Sequence, residues 1–208
     1  MAWYQIMSLA ALAICISASL QHIIRLIKLG APVDYSKQAG KISKAVHYSF
    51  TKAMSPAKKE SAYLHLPTYT AGILYHIGTF LAIPLFFIFL LNFEIPEESS
   101  LYIAAFFLLT GISGIGILIK RIVKKKLLSL SNPDDFISNI LVTFFQIATA
   151  YVLVNADGVI IYSIICSLFL IYLPMGKLKH AYYFFAARYH LGFYYGWRNV
   201  WPVSKSKN

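Results

Sequence analysis

The chain has 208 residues, of which 58% are hydrophobic and only 13% charged, and its net charge is +11. Its mean hydropathy is +0.62. A soluble domain carries about a quarter charged residues, so this composition excludes an ordinary soluble domain and points to a membrane protein.

Five apolar runs approach or exceed the length that a bilayer-spanning helix needs, and none alternates as barrel strands do. The expected fold is an all-α, five-helix transmembrane bundle, one domain over 1–208. The first span covers about 3–26. It lacks a basic leader and a small-x-small cleavage site, and reads as a retained helix. Cys15 lies in this run and Cys166 in the last; their spacing supplies neither a disulfide framework nor an iron–sulfur motif.

The loop 30–65 follows, long for a bundle connection. Its stretch "DYSKQAGKISKAVHYSFTKAMSPAKKE" spaces apolar and aromatic residues among lysines. It reads as an amphipathic helix on the membrane surface, or as a docking surface for a cytosolic partner. The second span covers about 67–91, the third 101–118, the fourth 137–154. The fifth starts near 159 and is taken to about 187, through Pro174, which can kink it.

All 19 Lys and Arg fall at the end of span one, in the loop 30–65, in the connector 120–126, or in the C-terminal tail. With five spans these regions share one side, which the positive-inside rule makes cytoplasmic. The N-terminus is then outside and the C-terminus inside, as expected for a multi-pass protein of the inner (cytoplasmic) membrane. Because the charge is split among membrane-adjacent segments, nucleic acid is not an expected partner.

The histidines carry the chemistry. His76 sits inside the apolar run "GILYHIGTF". If span five continues to Arg188, His76 and His180 lie at matched depths of about 12 to 14 Å on antiparallel helices. Two such imidazoles suit the axial positions of a haem b, which favours electron transfer. Lys177 and Lys179 stand near His180 as partners for propionates. Gly111 and Gly114, with Ser113 and Gly116, allow close approach of another helix or of the ring. The plainer alternative is a pair of histidines hydrogen-bonded to neighbouring helices. His65 and His190, at the inner interface, form a possible second site, and an interfacial role is the plainer reading of both.

"LYHIGTF" with "LPMGKLKHAYYF" resembles the cytochrome b gamma subunit of respiratory nitrate reductase. The tail "KLKHAYYFFAARYHLGFYYGWRNVWP" is similar to the membrane cytochromes of heterodisulfide reductase and of sulfite-reduction-associated complexes, and "LSNPDDFISN" resembles their connector. The resemblance implies His76 and His180 as ligands of the haem nearer the cytoplasmic partner. It also implies a second haem whose ligands would fall at Phe86 and Tyr162; neither can replace an imidazole, so this chain departs from the dihaem pattern. One haem b is expected, with two as the alternative.

The implied function is an electron-transfer subunit of a respiratory oxidoreductase complex, non-catalytic or quinone-reactive. It would pass electrons between a quinone pool, menaquinone or another quinone, and a cytoplasmic iron–sulfur partner. Tyr69, Tyr75 and His22 are weak quinone-site candidates. The rival readings are a haem-free membrane anchor for a cytosolic enzyme and a small transporter. The spans hold no acidic residue, which speaks against the transporter.

Overall fold

The computed structural model describes residues 1–30, 32–56, 62 and 64–203. Part of the basic loop 30–65, and Lys58, Lys59, Lys205 and Lys207 of the charge pattern, lie outside the described residues. The helices are α1 (Trp3–Lys28), α2 (Ile42–Phe50), α3 (Leu66–Leu90), α4 (Glu97–Val123), α5 (Lys125–Leu128), α6 (Pro133–Val154), α7 (Val159–Tyr172) and α8 (His180–Trp197). No strand occurs among the described residues.

α1, α3, α4 and α6 are each long and apolar enough to cross a membrane. A fifth crossing exists only if the broken pair 156–172 and 177–197 counts as one span. The fifth helix, expected from the sequence to run on through a kink at Pro174, is two helices. α7 ends at Tyr172, and the Met175 and Gly176 N–H groups both turn back to the Tyr172 carbonyl at 3.0 Å. Pro174, buried at this turn, has no N–H with which to continue a helical ladder. Gly176 lies so close to the Tyr172 ring that a Cβ would strike it. A short 3₁₀ turn, Lys177–Lys179, then leads into α8.

The chain divides into two compact units. The first comprises Met1–Ala18 and Pro67–Leu178, the second Ser19–Leu66 and Lys179–Asn208. In the first, α4 packs along α6, and α6 against α7. Small residues permit this. Gly111 faces Ile147, Gly114 faces Tyr75 and Thr143, and Gly78 of α3 faces Thr110 of α4. Aromatic rings fill the interior: Phe145 stacks on Phe169 at 4.5 Å, and Tyr162 meets Phe89 edge-on at 5.1 Å. Ser8 of α1 meets Ser167 of α7 at 3.3 Å. The Gln5 amide donates to Asn92 at 3.0 Å beyond the end of α3. Many large apolar side chains of α1, α3 and α4 point outward, as lipid contact requires.

α6 begins on a capping box. Asn132 accepts from the Asp135 N–H at 3.0 Å, the Asp135 carboxylate accepts from the Asn132 N–H at 3.0 Å, and Pro133 opens the first turn.

In the second unit α2 packs along α8. The contact is small against small, with Ala45 and Ser49 four apart on α2 and Gly192 and Gly196 four apart on α8. A Cβ on Gly192 would lie 2.6 Å from the Val46 Cα, and one on Gly196 2.6 Å from the Ala45 Cβ. Such close approach is how helices associate where no hydrophobic force separates them from lipid. Ser49 Oγ donates to the Arg188 carbonyl at 2.7 Å, and the Arg188 guanidinium donates back to the Ser49 carbonyl. Upstream of α2, Trp197 Nε1 donates to the Ser36 carbonyl at 2.8 Å, and Arg198 pairs with Asp34 at 2.5 Å. The Asp34 carboxyl is held below its ordinary value, chiefly by its hydrogen bonds from the Ser36 hydroxyl and N–H. The amphipathic helix expected in the loop thus exists over 42–50, with its apolar face spent on α8.

Candidate cofactor-binding site

His76 lies on α3. Its Nδ1 is 2.7 Å from the Gly72 carbonyl oxygen, one turn back. A carbonyl can only accept, so Nδ1 carries the hydrogen, which in the neutral ring leaves the lone pair on Nε2. A histidine so held presents the nitrogen that metals bind, with its ring fixed by the other. His76 is exposed, and so are Ile73, Ile77 and Phe80 on the same helical face. A Cβ at Gly72 would meet nothing within 4 Å. The result is an uncovered apolar strip with one oriented imidazole in its middle. Its donor set and apolarity fit one side of a haem.

Beside it α3 carries a buried polar network. Tyr75 Oη donates to the Asn139 carbonyl at 2.8 Å and lies 3.0 Å from Thr143 Oγ1. Gln146, fully buried on α6, donates through Nε2 to the Tyr75 carbonyl at 2.9 Å and to Thr79 Oγ1 at 2.8 Å. The Tyr75 hydroxyl is therefore committed to α6 rather than presented to a quinone. Gln146 escaped the sequence reading, although a lone Gln in "VTFFQIATAY" is the signal of an interhelical hydrogen bond.

Gly111 and Gly114, expected beside the ring or another helix, are occupied by the side chains of Ile147, Tyr75 and Thr143. They serve helix packing. Lys177, expected near a propionate, has its ammonium on the Asp135 carboxylate, which Arg121 also approaches at 3.5 Å. Asp135 is only 5% exposed while Lys177 is 51% exposed. In the sequence this Asp reads only as part of a connector; in the structure it anchors the 173–179 turn. The Asn-Pro-Asp-Asp spacing was the available signal.

Phe86 and Tyr162, the positions where the resemblance would place a second haem, are buried at 3% and 2% exposure in one aromatic core. The space between helices there is filled by side chains.

The remaining candidates belong to the second unit. His180 is exposed and opens α8; Lys179, also exposed, precedes it. His65 is exposed in the turn before α3, and His190 is half-buried within α8. No hydrogen bond or ring contact joins those two among the described residues. His22 Nδ1 is 3.1 Å from Tyr183 Oη, and Ser19 Oγ is 2.5 Å from Tyr182 Oη. Tyr69 is half-buried near the start of α3. No group of three or more His, Cys, Asp or Glu that could hold a metal ion occurs among the described residues.

No known protein family, curated protein or solved structure matches the chain.

Proposed function

We propose that this protein is a haem b-containing membrane electron-transfer subunit, passing electrons between a quinone pool and a cytoplasmic iron–sulfur partner. The observation that carries the reading is the His76–Gly72 hydrogen bond, which aims Nε2 out of an open apolar face. His76 would hold the iron, and Ile73, Ile77 and Phe80 would cover part of the macrocycle. His180, a residue of the other unit, would supply the second imidazole; that pairing rests on the sequence. A bis-imidazole haem supplies one-electron transfer. The filled core at Phe86 and Tyr162 speaks against a haem at the position where the resemblance would put the second one. The distribution of Lys and Arg supports an outside N-terminus and a cytoplasmic basic face that a soluble partner can meet.

A reduced-minus-oxidised spectrum of membranes containing the chain tests the reading against a haem-free anchor. Sharp b-type bands that depend on His76 are expected. Membranes that hold the folded chain without such bands would leave the anchor.

A further inference from the structure

The second unit carries a cationic groove that electron transfer does not use. Lys44, His47 and Thr51 succeed one another along one exposed face of α2 and its end, and Lys41 precedes it. Lys44, His47, Thr51, Lys52 and Pro202 surround a hollow of about 440 Å³, with the buried Tyr48 ring in its lining. A second hollow, lined by Lys41, Lys44 and Trp201, adjoins it and shares Lys44 and Pro202. The floor is aromatic: Trp201 meets Tyr48 at 5.4 Å and Tyr195 at 4.6 Å. No described carboxylate pairs with Lys41, Lys44 or Lys52, and Asp34, on the same unit, is taken by Arg198.

The groove is also tethered. α2 lies in the chain between α1 and α3, both long and apolar enough to cross a membrane, and α1 ends on Arg25 and Lys28. An aromatic floor beneath a lysine rim, on a segment that the chain carries between two helices long and apolar enough to cross a membrane, matches a phosphate with its glycerol and acyl carbons. A free anion would have no use for the floor.

We propose that this groove binds the headgroup of an anionic phospholipid, with Lys44, shared by the two hollows, on the phosphate, Lys41 and Lys52 flanking it on either side, and Tyr48 and Trp201 against its apolar part. The proposal is independent of the haem reading. It also assigns the exposed face of α2 to lipid rather than to a soluble partner.

The test uses the full chain in nanodiscs of phosphatidylcholine with a minor share of phosphatidylglycerol. Native mass spectrometry counts the lipids retained on release. Retention of phosphatidylglycerol over phosphatidylcholine is expected, falling about fivefold for each lysine removed. The variant is K41Q/K44Q/K52Q, and K124Q/K125Q/K126Q is a control of equal charge change. The α2–α8 contact uses Ala45 and Ser49, and Lys41 makes no side-chain cap bond, so the groove variant keeps its fold, checked by circular dichroism. Selective loss in the groove variant alone supports the proposal. Equal loss in both variants, or equal retention of the two lipids, would overturn it.

Discussion

At the scale of single residues, the first unit is decided by which side chains can sit between helices. Gly114 leaves room for Tyr75 and Thr143, and the Tyr75 hydroxyl then reaches the α6 backbone. Gly114→Val would drive a branched side chain into that contact, at a cost of about 1–3 kcal/mol. Gln146→Leu should cost less, under about 1 kcal/mol. It removes two hydrogen bonds from acceptors inside a membrane, where each averages about 0.6 kcal/mol, but it also removes the buried Gln146 Oε1, which has no partner. Unfolding of the two variants in one detergent should rank them in that order; Gln146→Leu as the more damaging change would mean the network, not the packing, holds α3. His76 could be picked from the sequence as an ionisable residue in an apolar run. Its tautomer could not, because that depends on a carbonyl one helical turn away.

At the scale of elements, charge and hydropathy located four spans, since a long apolar helix has no stable place but the bilayer or a large core. The fifth run is a bent pair rather than one helix. In the sequence Pro174 reads as a kink, but with Gly176 packed on Tyr172 the chain turns and starts afresh at His180. Hydropathy averages over such a break, whereas backbone hydrogen bonds do not. Asp135 anchors the far side of this turn through Lys177. Asp135→Asn keeps an acceptor for the cap but loses the charge, and should cost about 1–2 kcal/mol. That is less than for a fully buried pair, because Lys177 and Arg121 remain reachable by water. Asp135→Asn and Lys177→Gln should be non-additive in a double-mutant cycle; strict additivity would show that the pair contributes nothing. The α2–α8 contact was legible in part. "GFYYG" is a small-x-x-x-small pattern that marks a close helix partner, but not which one. Gly192→Val should free α2, and limited proteolysis should then cut within 34–55 faster than in the parent chain. An unchanged cleavage rate would show that α2 is held elsewhere.

At the scale of the whole molecule, the all-helical architecture followed from composition, while the orientation rests on the placement of 19 basic residues. A reporter fused after Asn208 should read as cytoplasmic; an extracytoplasmic signal would reverse the proposed topology. The proposed haem b rests, in the sequence, on the placement of His76 and His180 and on a resemblance of short motifs. Its physical support is one oriented imidazole on an open apolar strip, together with a core closed where a second haem would lie. The most direct test of that account is the haem-to-protein ratio of the purified chain, measured alongside His76→Ala, His180→Ala and His65→Ala. The expected result is a ratio near one, with the low-spin b-type spectrum lost in the first two variants and kept in the third. A ratio near two that is halved by His65→Ala would place a second haem at the inner interface, and a spectrum unchanged by His76→Ala would contradict the assignment itself.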